Sequence, residues 1–409
     1  MKLELKLEKM IHGARTLARL EDGRIVLVRG GLPGETVEAE VSEAKGVLQG
    51  AVSKLIEPSP QRQKASLHPG LDYSFAPYAY QLELKREVVK DALSRSLKRD
   101  LSIPDVRPAP LIWHYRSAIQ PVVTRQGLGY RLPESHEVIT LEEDPVANAS
   151  LNTAWQVFSN LAMPKGLREV VFRANDAGEV LISLIASASA RNYLDFAHKL
   201  LGKTVKGVSY AQFDARGRFR RGSEKLTGQR TIRQSYGQFE LTVSATNFSQ
   251  PNPTAATELF KSLQDLAPAG KKALDLYAGS GIIAMHLAEK FTEVNALEID
   301  AGAVARGTDD AKRLGIDNLA FIKADARSLE LHDYDLITVD PPRSGLNKEV
   351  RKLITASGAP MLIYVSCDLP TWARDIADFE NLGWTLAQFE PFDFYPHTHH
   401  IELLSVLTR

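Results

Sequence analysis

The sequence predicts an α/β protein with a doubly wound sheet, preceded by a small β-barrel and a central α+β unit. Apolar segments of strand length alternate with helix-length segments over the last third of the chain. Five short strand-like segments with glycines between them fill residues 1–57, and the middle of the chain mixes both patterns. A chain of 409 residues, 44% of them hydrophobic, is long enough for several cores, so more than one domain is expected.

The first segment, residues 1–60, is predicted to be a barrel of the oligonucleotide-binding (OB-like) kind. Five strands in so short a segment are typical of such barrels, although a barrel that only caps the structure would have the same pattern. Its strands are predicted at Leu3–Leu7, Gly13–Leu20, Arg24–Arg29, Glu35–Val41 and Val47–Ile56. Residues 61–105 are predicted to be a linker followed by an amphipathic helix from Tyr80 to Leu97.

Residues 106–245 are predicted to form the central α+β domain. Helices are expected at Pro145–Leu161 and Asn192–Leu201, and strands at Glu169–Arg173, Glu179–Ile185, Gly207–Phe213, Thr231–Ile232 and Phe239–Ser244. A basic segment within this domain contains Arg218, Phe219, Arg220 and Arg221. Arginines next to an aromatic residue suit phosphate contact with base stacking, and a solvated charged hairpin is the alternative reading.

Residues 246–409 are predicted to form the doubly wound domain. Helices are expected at Ala255–Leu266, Ile282–Phe291 and Ala301–Leu314, and strands at Ala273–Leu276, Glu293–Glu298, Ala320–Ile322, Leu336–Val339 and Met361–Val365. In such a sheet, ligands bind outside the carboxyl ends of the strands. We therefore expect the chemistry of this protein at that edge.

Composition sets limits on the function. Lys plus Arg and Asp plus Glu number 50 each, so the net charge does not by itself indicate a nucleic-acid partner. A single cysteine excludes an internal disulfide and a four-thiolate metal site. The first residues show neither a signal peptide nor a membrane-spanning segment, so a cytoplasmic protein without a membrane partner is expected.

A cofactor site is predicted where the strand ending at Leu276 turns into a helix. Gly279 and Gly281 would let the backbone approach a ligand closely, and Glu298 at the end of the next strand could accept hydrogen bonds from ribose hydroxyls. This pattern serves NAD and S-adenosylmethionine equally. Asp340-Pro341-Pro342 at the fourth strand has no evident task in hydride transfer and resembles the target-binding motif of class I S-adenosylmethionine-dependent methyltransferases. Arg343 replaces the aromatic residue usual in amino-methylating members, which argues against an exocyclic amine as target.

Cys367 and Glu402 are the candidate catalytic residues. Taken alone, Cys367 would more often be a small buried hydrophobic residue, and Glu402 a solvated residue before a strand. A different interpretation applies if the methylated atom is C5 of uracil. That reaction needs a thiolate that adds to C6, which Cys367 could supply, and a base that removes the C5 proton, which Glu402 could supply. His397, His399 and His400 near Glu402 raise the alternative of a metal site, but adjacent histidines on a strand would point apart, so no metal is expected.

Four motifs resemble the RNA uracil-C5 (5-methyluridine) methyltransferase family over about residues 245–409. They are Asn247-Phe248-Ser249-Gln250-Pro251-Asn252, Asp340 to Leu346, Tyr364-Val365-Ser366-Cys367-Asp368, and Phe394 to Glu402. The N-terminal barrel resembles the TRAM domain, an RNA-binding barrel found in many members. The resemblance implies a Rossmann-like catalytic domain, S-adenosylmethionine as cofactor, RNA as partner and a monomer.

The resemblance also implies residue roles. Cys367 would be the nucleophile and Glu402 the base. The cofactor-binding positions would be Gln250, Tyr277, Gly279, Gly281, Glu298, Asp325 and Asp340. Phe248 would line the base pocket. The other predicted RNA-binding positions are Pro341 and Arg343 after the fourth strand and, from the pattern of the basic segment, Arg218, Arg220 and Arg221.

Two departures from the family pattern stand out. Where many members carry the cysteines of an iron-sulfur cluster, this chain has Arg62, His68, Leu71 and Asp144, so no cluster is expected and the helix at 80–97 must be held by packing. Ile282 stands where relatives often have an asparagine.

Several functional hypotheses remain. The first is methylation of a uridine in RNA, with 23S ribosomal RNA preferred and the tRNA T-loop as alternative. Methylation of cytosine C5 is disfavoured because those enzymes generally use two cysteines. A non-enzymatic alternative is an RNA-binding assembly factor that keeps the fold but catalyses no reaction. NAD-dependent oxidoreduction is opposed by Asp340-Pro341-Pro342.

Overall fold

The protein is described here from a computed structural model, which covers residues 1–44, 46–215, 219, 222–328 and 333–409. Its N-terminal part is a closed five-stranded barrel with strand order β1-β2-β3-β5-β4. The strands are β1 (Lys2–Ile11), β2 (Arg15–Arg19), β3 (Ile25–Arg29), β4 (Thr36–Ala44) and β5 (Val47–Glu57). Alternate apolar residues such as Leu5, Val26 and Val37 fill the barrel interior, as expected for strands with one buried face. All five predicted strands are confirmed.

Helix α1 (Tyr78–Leu97) lies between the barrel and the C-terminal sheet. Met10 and Leu32 of the barrel, Leu84 of α1 and Leu403 of the sheet belong to one buried cluster. Lys9 of β1 adds an ion pair with Asp91 of α1, with an N–O distance of 2.6 Å. The barrel is therefore packed onto the rest of the molecule rather than attached by a linker alone.

Polar contacts also hold α1. Lys85 and Asp393, both fully buried, form an ion pair of 2.6 Å, and removing one partner of such a pair typically costs about 3–5 kcal/mol. The Gln81 side chain accepts a hydrogen bond from the backbone N–H of His397 at 2.9 Å. The expectation that packing holds helix α1 is confirmed. The buried ion pair between Lys85 and Asp393 holds it as well.

The four positions that correspond to cluster ligands in the family carry ordinary contacts here. His68 Nε2 lies 3.6 Å from Asp144 Oδ2, and Leu71 packs beside Tyr115. Arg62 pairs instead with Glu35 of the barrel at 2.6 Å. Within the described ranges, no three His, Cys, Asp or Glu side chains are grouped so as to hold a metal ion.

The central domain is one mixed sheet covered by two helices. The strands are β6 (Ala118–Ile119), β7 (Val122–Thr124), β8 (Gly127–Arg131), β9 (Val138–Thr140), β10 (Leu167–Ala174), β11 (Val180–Ala186), β12 (Val205–Gln212) and β13 (Glu224–Gly228). The order is β13-β12-β11-β10-β7-β8-β9, with β6 also paired to β10. Helices α2 (Ala149–Ser159) and α3 (Leu194–Leu200) pack on it, and a 3-10 turn at Ala190–Tyr193 precedes α3. The predicted helices are confirmed in shorter form, and β6–β9 and β13 were not predicted.

A hairpin of β14 (Ile232–Tyr236) and β15 (Phe239–Val243) follows. Tyr236 and Phe239 belong to the same buried cluster as helix α4 (Pro253–Leu266). By its packing, the hairpin thus contacts the doubly wound domain, although the boundary proposed from the sequence lies after it.

The C-terminal domain is a seven-stranded sheet with helices on both faces. Its strands are β16 (Gly270–Leu276), β17 (Phe291–Glu298), β18 (Leu319–Lys323), β19 (Leu336–Val339), β20 (Met361–Ser366), β21 (Thr385–Phe392) and β22 (Glu402–Thr408). Its further helices are α5 (Ile282–Ala288), α6 (Ala301–Leu314), α7 (Lys348–Ala356) and α8 (Leu369–Asn381), with a 3-10 turn at Ala326–Ser328. The strand order is β18-β17-β16-β19-β20-β22-β21.

Five strands of this sheet are parallel, which confirms the Rossmann-like prediction. Strand β22 is the exception, because it pairs antiparallel with both β20 and β21. The predicted helix Ile282–Phe291 ends earlier, at Ala288, since Phe291 already begins β17. Within the described ranges, no helix is both long enough and apolar enough to cross a membrane.

Candidate active site

The predicted site residues gather at the carboxyl edge of the C-terminal sheet. The register pairs Leu276 of β16 with Leu297 of β17 and with Val339 of β19. The residues that follow these three are Tyr277, Glu298 and Asp340, which therefore stand side by side where the strands end.

Cys367 and Glu402 are opposed at the same edge. Strands β20 and β22 are antiparallel, and their last paired residues are Ser366 and Leu403. The next residue of each strand in this register is Cys367 and Glu402, and directly opposed residues of antiparallel strands share one face of the sheet. The antiparallel insertion of β22 thus brings together two residues that are far apart in sequence.

The environment of Cys367 disfavours its thiolate in the free protein. Burial, together with the nearby Glu402 and Asp340 carboxyls, raises the pKa of Cys367 to about 12, and Arg343 opposes this shift. Helix α8 begins two residues after Cys367, so its positive end opposes this effect. Cys367 is therefore a protonated thiol at neutral pH before a substrate is bound.

Three carboxyl groups lie at this edge, with Asp275 and Glu402 buried and Asp340 half-buried. Burial raises the pKa of Asp275 and of Asp340 to about 7 each, and it raises the pKa of Glu402 well above its ordinary value. Asp275 Oδ1 accepts a hydrogen bond from the Thr338 hydroxyl at 2.7 Å, while its Oδ2 is buried without a partner among the described residues. Carboxyls held in this way suit a cationic ligand, and the sulfonium and ammonium groups of S-adenosylmethionine fit that requirement.

The raised pKa of Asp275 predicts a pH-dependent stability. Between its ordinary pKa and about 7, the folded protein binds a proton that the unfolded chain has released, so stability falls as pH rises through this window. Asp275→Asn should remove the contribution of this group, whereas Asp340 and Glu402 keep theirs. The free energy of unfolding of the variant, compared with that of the wild type, should therefore increase by about 1–3 kcal/mol between pH 5 and pH 8. Thermal unfolding at both pH values measures it.

A matched control is Asp325→Asn, since hydrogen bonds from Arg327 lower the pKa of Asp325 to about 2 and the group stays charged across this range. We expect the control to keep the wild-type pH dependence. An Asp275→Asn protein with the same pH dependence as the wild type would contradict the assignment.

A cavity of about 200 Å³ opens beside the glycine turn. Tyr277, Glu298 and Asp325 line it, together with Arg327 and Asn347. Three of the predicted cofactor positions therefore face one cavity at the strand ends. A larger groove of about 580 Å³ lies elsewhere, between β14–β15 and the central domain, and none of the predicted site residues lines it.

Backbone conformation requires glycine at both positions of this turn, and packing also requires it at Gly281. Gly279 and Gly281 have φ values of +56° and +82°, and a Cβ at Gly281 would lie 2.3 Å from the Phe321 ring. Glu298 fixes the turn from the neighbouring strand, because its carboxylate accepts hydrogen bonds from the N–H groups of Gly279 and Ile299 at 3.0 and 2.7 Å. Glu298 thus orders this turn before any ligand is present.

The loop from Asp340 to Leu346 is supported from beneath by Asp375. This buried carboxylate accepts hydrogen bonds from the Leu346 N–H at 2.7 Å and from the Tyr364 hydroxyl at 2.8 Å, and it pairs with Arg351 at 2.6 Å. Pro341 is buried and Arg343 is exposed. No hydrogen-bond or ion-pair partner of the Arg343 guanidinium is found in the described part of the chain.

The segment that carries Phe248 and Gln250 is held by the central domain. Arg173 of β10 donates a hydrogen bond to the backbone oxygen of Asn247 at 2.9 Å and another to Ser249. Phe248 itself is 77% exposed, so the sequence-predicted pocket residue presents its ring at the surface. Gln250 is half-buried, and its backbone oxygen accepts a hydrogen bond from Tyr236.

The histidines before Glu402 lie in a loop, not on a strand. His399 Nδ1 contacts Asp72 Oδ2 at 2.6 Å, His397 Nδ1 contacts Gln81, and His400 lies with its ring centroid 4.2 Å from that of His399. Adjacent His399 and His400 thus do not point apart as expected for a strand, because their rings are neighbours in a loop.

Sequence reasoning missed several supporting residues. Among them, Arg173 could have been noticed in the sequence, because a cation within an apolar strand is unusual and suggests a specific partner. Asp72 and Asp275 gave no such signal, because their partners are distant in sequence or on a neighbouring strand. The predicted RNA contacts Arg218, Arg220 and Arg221 lie outside the described residues.

We compared the chain with protein families, with curated proteins and with solved structures. Residues 229–409 match the tRNA (uracil-5-)-methyltransferase family, and residues 2–50 match the TRAM domain. A protein named uncharacterized RNA methyltransferase from Thermosynechococcus vestitus is 28% identical over 99% of this chain and 98% of its own. The tRNA (uracil(54)-C(5))-methyltransferase of Pyrococcus horikoshii is 27% identical over 93% of this chain and 95% of its own.

Among solved structures, the Pyrococcus abyssi tRNA (uracil-54, C5)-methyltransferase in complex with S-adenosyl-L-homocysteine superposes with a TM-score of 0.80. The two chains are 23% identical, and the match covers 99% of this chain and 100% of the other. This likeness establishes a common fold.

The fold and the acidic strand edge define an S-adenosylmethionine-dependent methyltransferase. The matched sequence then fixes the family: residues 229–409 form a catalytic domain of the tRNA (uracil-5-)-methyltransferase family, attached to a TRAM domain. The protein is thus an RNA (uracil-C5)-methyltransferase, and RNA is its substrate.

Proposed function

We propose that the protein methylates C5 of one uridine in RNA through a covalent bond between Cys367 and C6 of the ring. The observation that carries this proposal is the opposition of Cys367 and Glu402 across β20 and β22 at the acidic edge of the sheet. S-adenosylmethionine supplies the methyl group.

The proposed steps assign the chain's residues as follows. The Cys367 sulfur adds to C6 as a thiolate, which makes C5 nucleophilic enough to take the methyl group. Glu402 then removes the C5 proton, the C5–C6 double bond re-forms and the sulfur leaves. The products are 5-methyluridine, S-adenosylhomocysteine and a proton.

The electrostatics support these roles. Burial raises the pKa of Glu402, which makes its carboxylate a stronger base than an exposed one. The Cys367 thiol must lose its proton as the uracil enters, and the Arg343 charge favours that ionisation. The target uridine must leave its stack to reach this edge.

The proposed cofactor contacts are Tyr277, Glu298 and Asp325 in the cavity, with Asp340, Gln250 and the glycine turn around them. Tyr277, Glu298 and Asp325 are supported by the structure of the cavity, because all three line it. Phe248, Pro341 and Arg343 are the proposed contacts of the target nucleotide. The barrel and the basic segment around Arg218 are proposed to hold flanking RNA.

Two RNA classes are candidates. We propose 23S ribosomal RNA, by analogy with relatives that carry a TRAM domain. The tRNA T-loop is the second candidate, and the names of the two Pyrococcus proteins favour it. The proposed protein is a cytoplasmic monomer, with its domains at 1–60, 61–105, 106–245 and 246–409.

The deciding experiment is nucleoside mapping. RNA from a strain without the gene should lack 5-methyluridine at one position in 23S ribosomal RNA, and purified protein with S-adenosylmethionine should restore it. Mass spectrometry of both ribosomal RNA and tRNA identifies the substrate. Formation of 5-methylcytidine instead, or cofactor binding by calorimetry without methyl transfer to either RNA, would contradict the proposal.

A further inference from the structure

The barrel sends one side chain to the catalytic edge of the sheet. His12 lies in the turn between β1 and β2, and its ring packs edge-on against His399 with the centroids 5.8 Å apart. His399 belongs to the loop that ends at Glu402. A residue of the TRAM domain therefore contacts the loop that leads to Glu402.

Packing fixes the turn that carries His12. Met10 and Ala14, on either side of it, are 2% and 5% exposed and belong to the cluster shared with α1 and the C-terminal sheet. Ala14 has a φ of +55°, a left-handed conformation that costs an alanine about 1–2 kcal/mol. A strained turn persists only where its surroundings impose it. The direction of His12 is thus set by the fold.

His12 and Cys367 share their charged neighbours. Burial lowers the pKa of His12, His399 and Arg343 lower it further, and Asp368 raises it. Arg343 and Asp368 also act on the pKa of Cys367. His12, which is neutral at pH 7, therefore lies beside the two charges that flank the proposed nucleophile.

Two groups in this region lack partners. The Nδ1 atom of His12 is buried without a hydrogen-bond partner among the described residues, which leaves Nε2 as the ring nitrogen that a ligand can reach. The exposed guanidinium of Arg343 likewise has none within the described ranges. His399 differs, because Asp72 holds it at 2.6 Å. His12 and Arg343 together can direct N–H donors to a ligand that only accepts hydrogen bonds.

We propose that His12, together with Arg343, binds a phosphodiester group of the RNA next to the target uridine, so that the TRAM barrel completes the catalytic pocket. The inference rests on the proposed uridine site at Cys367. A uridine that turns its ring toward Cys367 leaves its flanking phosphates outside the pocket, and half-buried His12 and exposed Arg343 would meet a phosphate there. Its oxygens would accept hydrogen bonds from the His12 Nε2–H and the Arg343 guanidinium.

The test uses His12→Ala, His12→Gln and His12→Arg in the full-length protein. Steady-state methylation of RNA from the strain without the gene should show a five- to tenfold higher KM for RNA in the Ala and Gln variants, with kcat within twofold and unchanged affinity for S-adenosylmethionine. His12→Arg should restore the KM, because a guanidinium also donates to phosphate. It should also steepen the salt dependence by about 0.7 in log–log slope.

A matched control is His198→Ala, which removes an exposed histidine of α3 in the central domain. Its KM should equal that of the wild type. An unchanged KM in His12→Ala overturns the proposal, as does an Arg variant as impaired as the Ala variant, which would show that His12 only fills space. Thermal unfolding of each variant identifies a loss of fold.

A binding measurement separates this proposal from the proposed function. Fluorescence anisotropy with a 15-nucleotide oligouridylate and S-adenosylhomocysteine reads RNA affinity without turnover. Weaker binding by His12→Ala, with recovery in His12→Arg, supports the phosphate contact even if no RNA becomes methylated, a result that would count against the proposed function alone. Equal binding by all variants overturns the role of His12.

Discussion

Cys367→Ala is expected to abolish methyl transfer to RNA, with a loss of at least about 10⁴-fold in kcat. Without a sulfur to add to C6, uracil C5 is not nucleophilic enough to take a methyl group from a sulfonium. Transfer of labelled methyl groups from S-adenosylmethionine into substrate RNA measures the effect. Affinity for the cofactor should stay within twofold, because the cavity lined by Tyr277 and Glu298 is separate from the thiol.

The control for this substitution is Cys367→Ser, which keeps a polar group of similar size. It should be nearly as inactive, because a hydroxyl ionises far less readily than a thiol in a site where burial already raises the pKa of Cys367 to about 12. Full activity in Cys367→Ala would refute the covalent mechanism.

Glu402→Gln is expected to arrest the reaction after methyl transfer and to accumulate a covalent protein–RNA complex. The amide cannot remove the C5 proton, so the bond between Cys367 and C6 has no route to elimination. Turnover should fall by about 10²–10⁴-fold, while a species of the combined mass appears on a denaturing gel. Mass spectrometry of the digested complex should show a methylated nucleotide on the peptide that contains Cys367.

Glu390→Gln is the matched control, since Glu390 lies on the adjacent strand β21 and pairs with Arg107 at 2.5 Å. This variant should turn over normally and leave no complex. If Glu402→Gln retained wild-type turnover, or lost activity without any complex, Glu402 would not be the base that resolves the adduct.

Much of the fold could be predicted from local sequence. Alternation of apolar residues predicted the barrel strands, and the helical spacing of apolar residues predicted α1. Both patterns depend only on neighbours within a few residues of the chain. The position of β22 could not be predicted in this way. Its placement between β20 and β21 depends on pairing between distant segments, and no local pattern encodes strand order.

The same distinction applies to the site. Asp340, Cys367 and Glu402 could be proposed as site residues because each lies in a motif that resembles a known family. His12, by contrast, meets His399 across almost the whole chain, and nothing around it in the sequence marks that contact. Phe248 was expected in a base pocket and has an exposed ring, since a motif identifies a residue without its surroundings.

The position of β22 has a consequence for biosynthesis. Translation completes β20 and places Cys367 at its end before the ribosome has added the strand that carries Glu402. A nascent chain therefore has the proposed nucleophile without the proposed base, and β21 has no partner strand in the sheet until β22 is added. If the proposed roles hold, catalysis requires that β22 be inserted between β20 and β21, and removal of residues 402–409 by a protease should abolish activity.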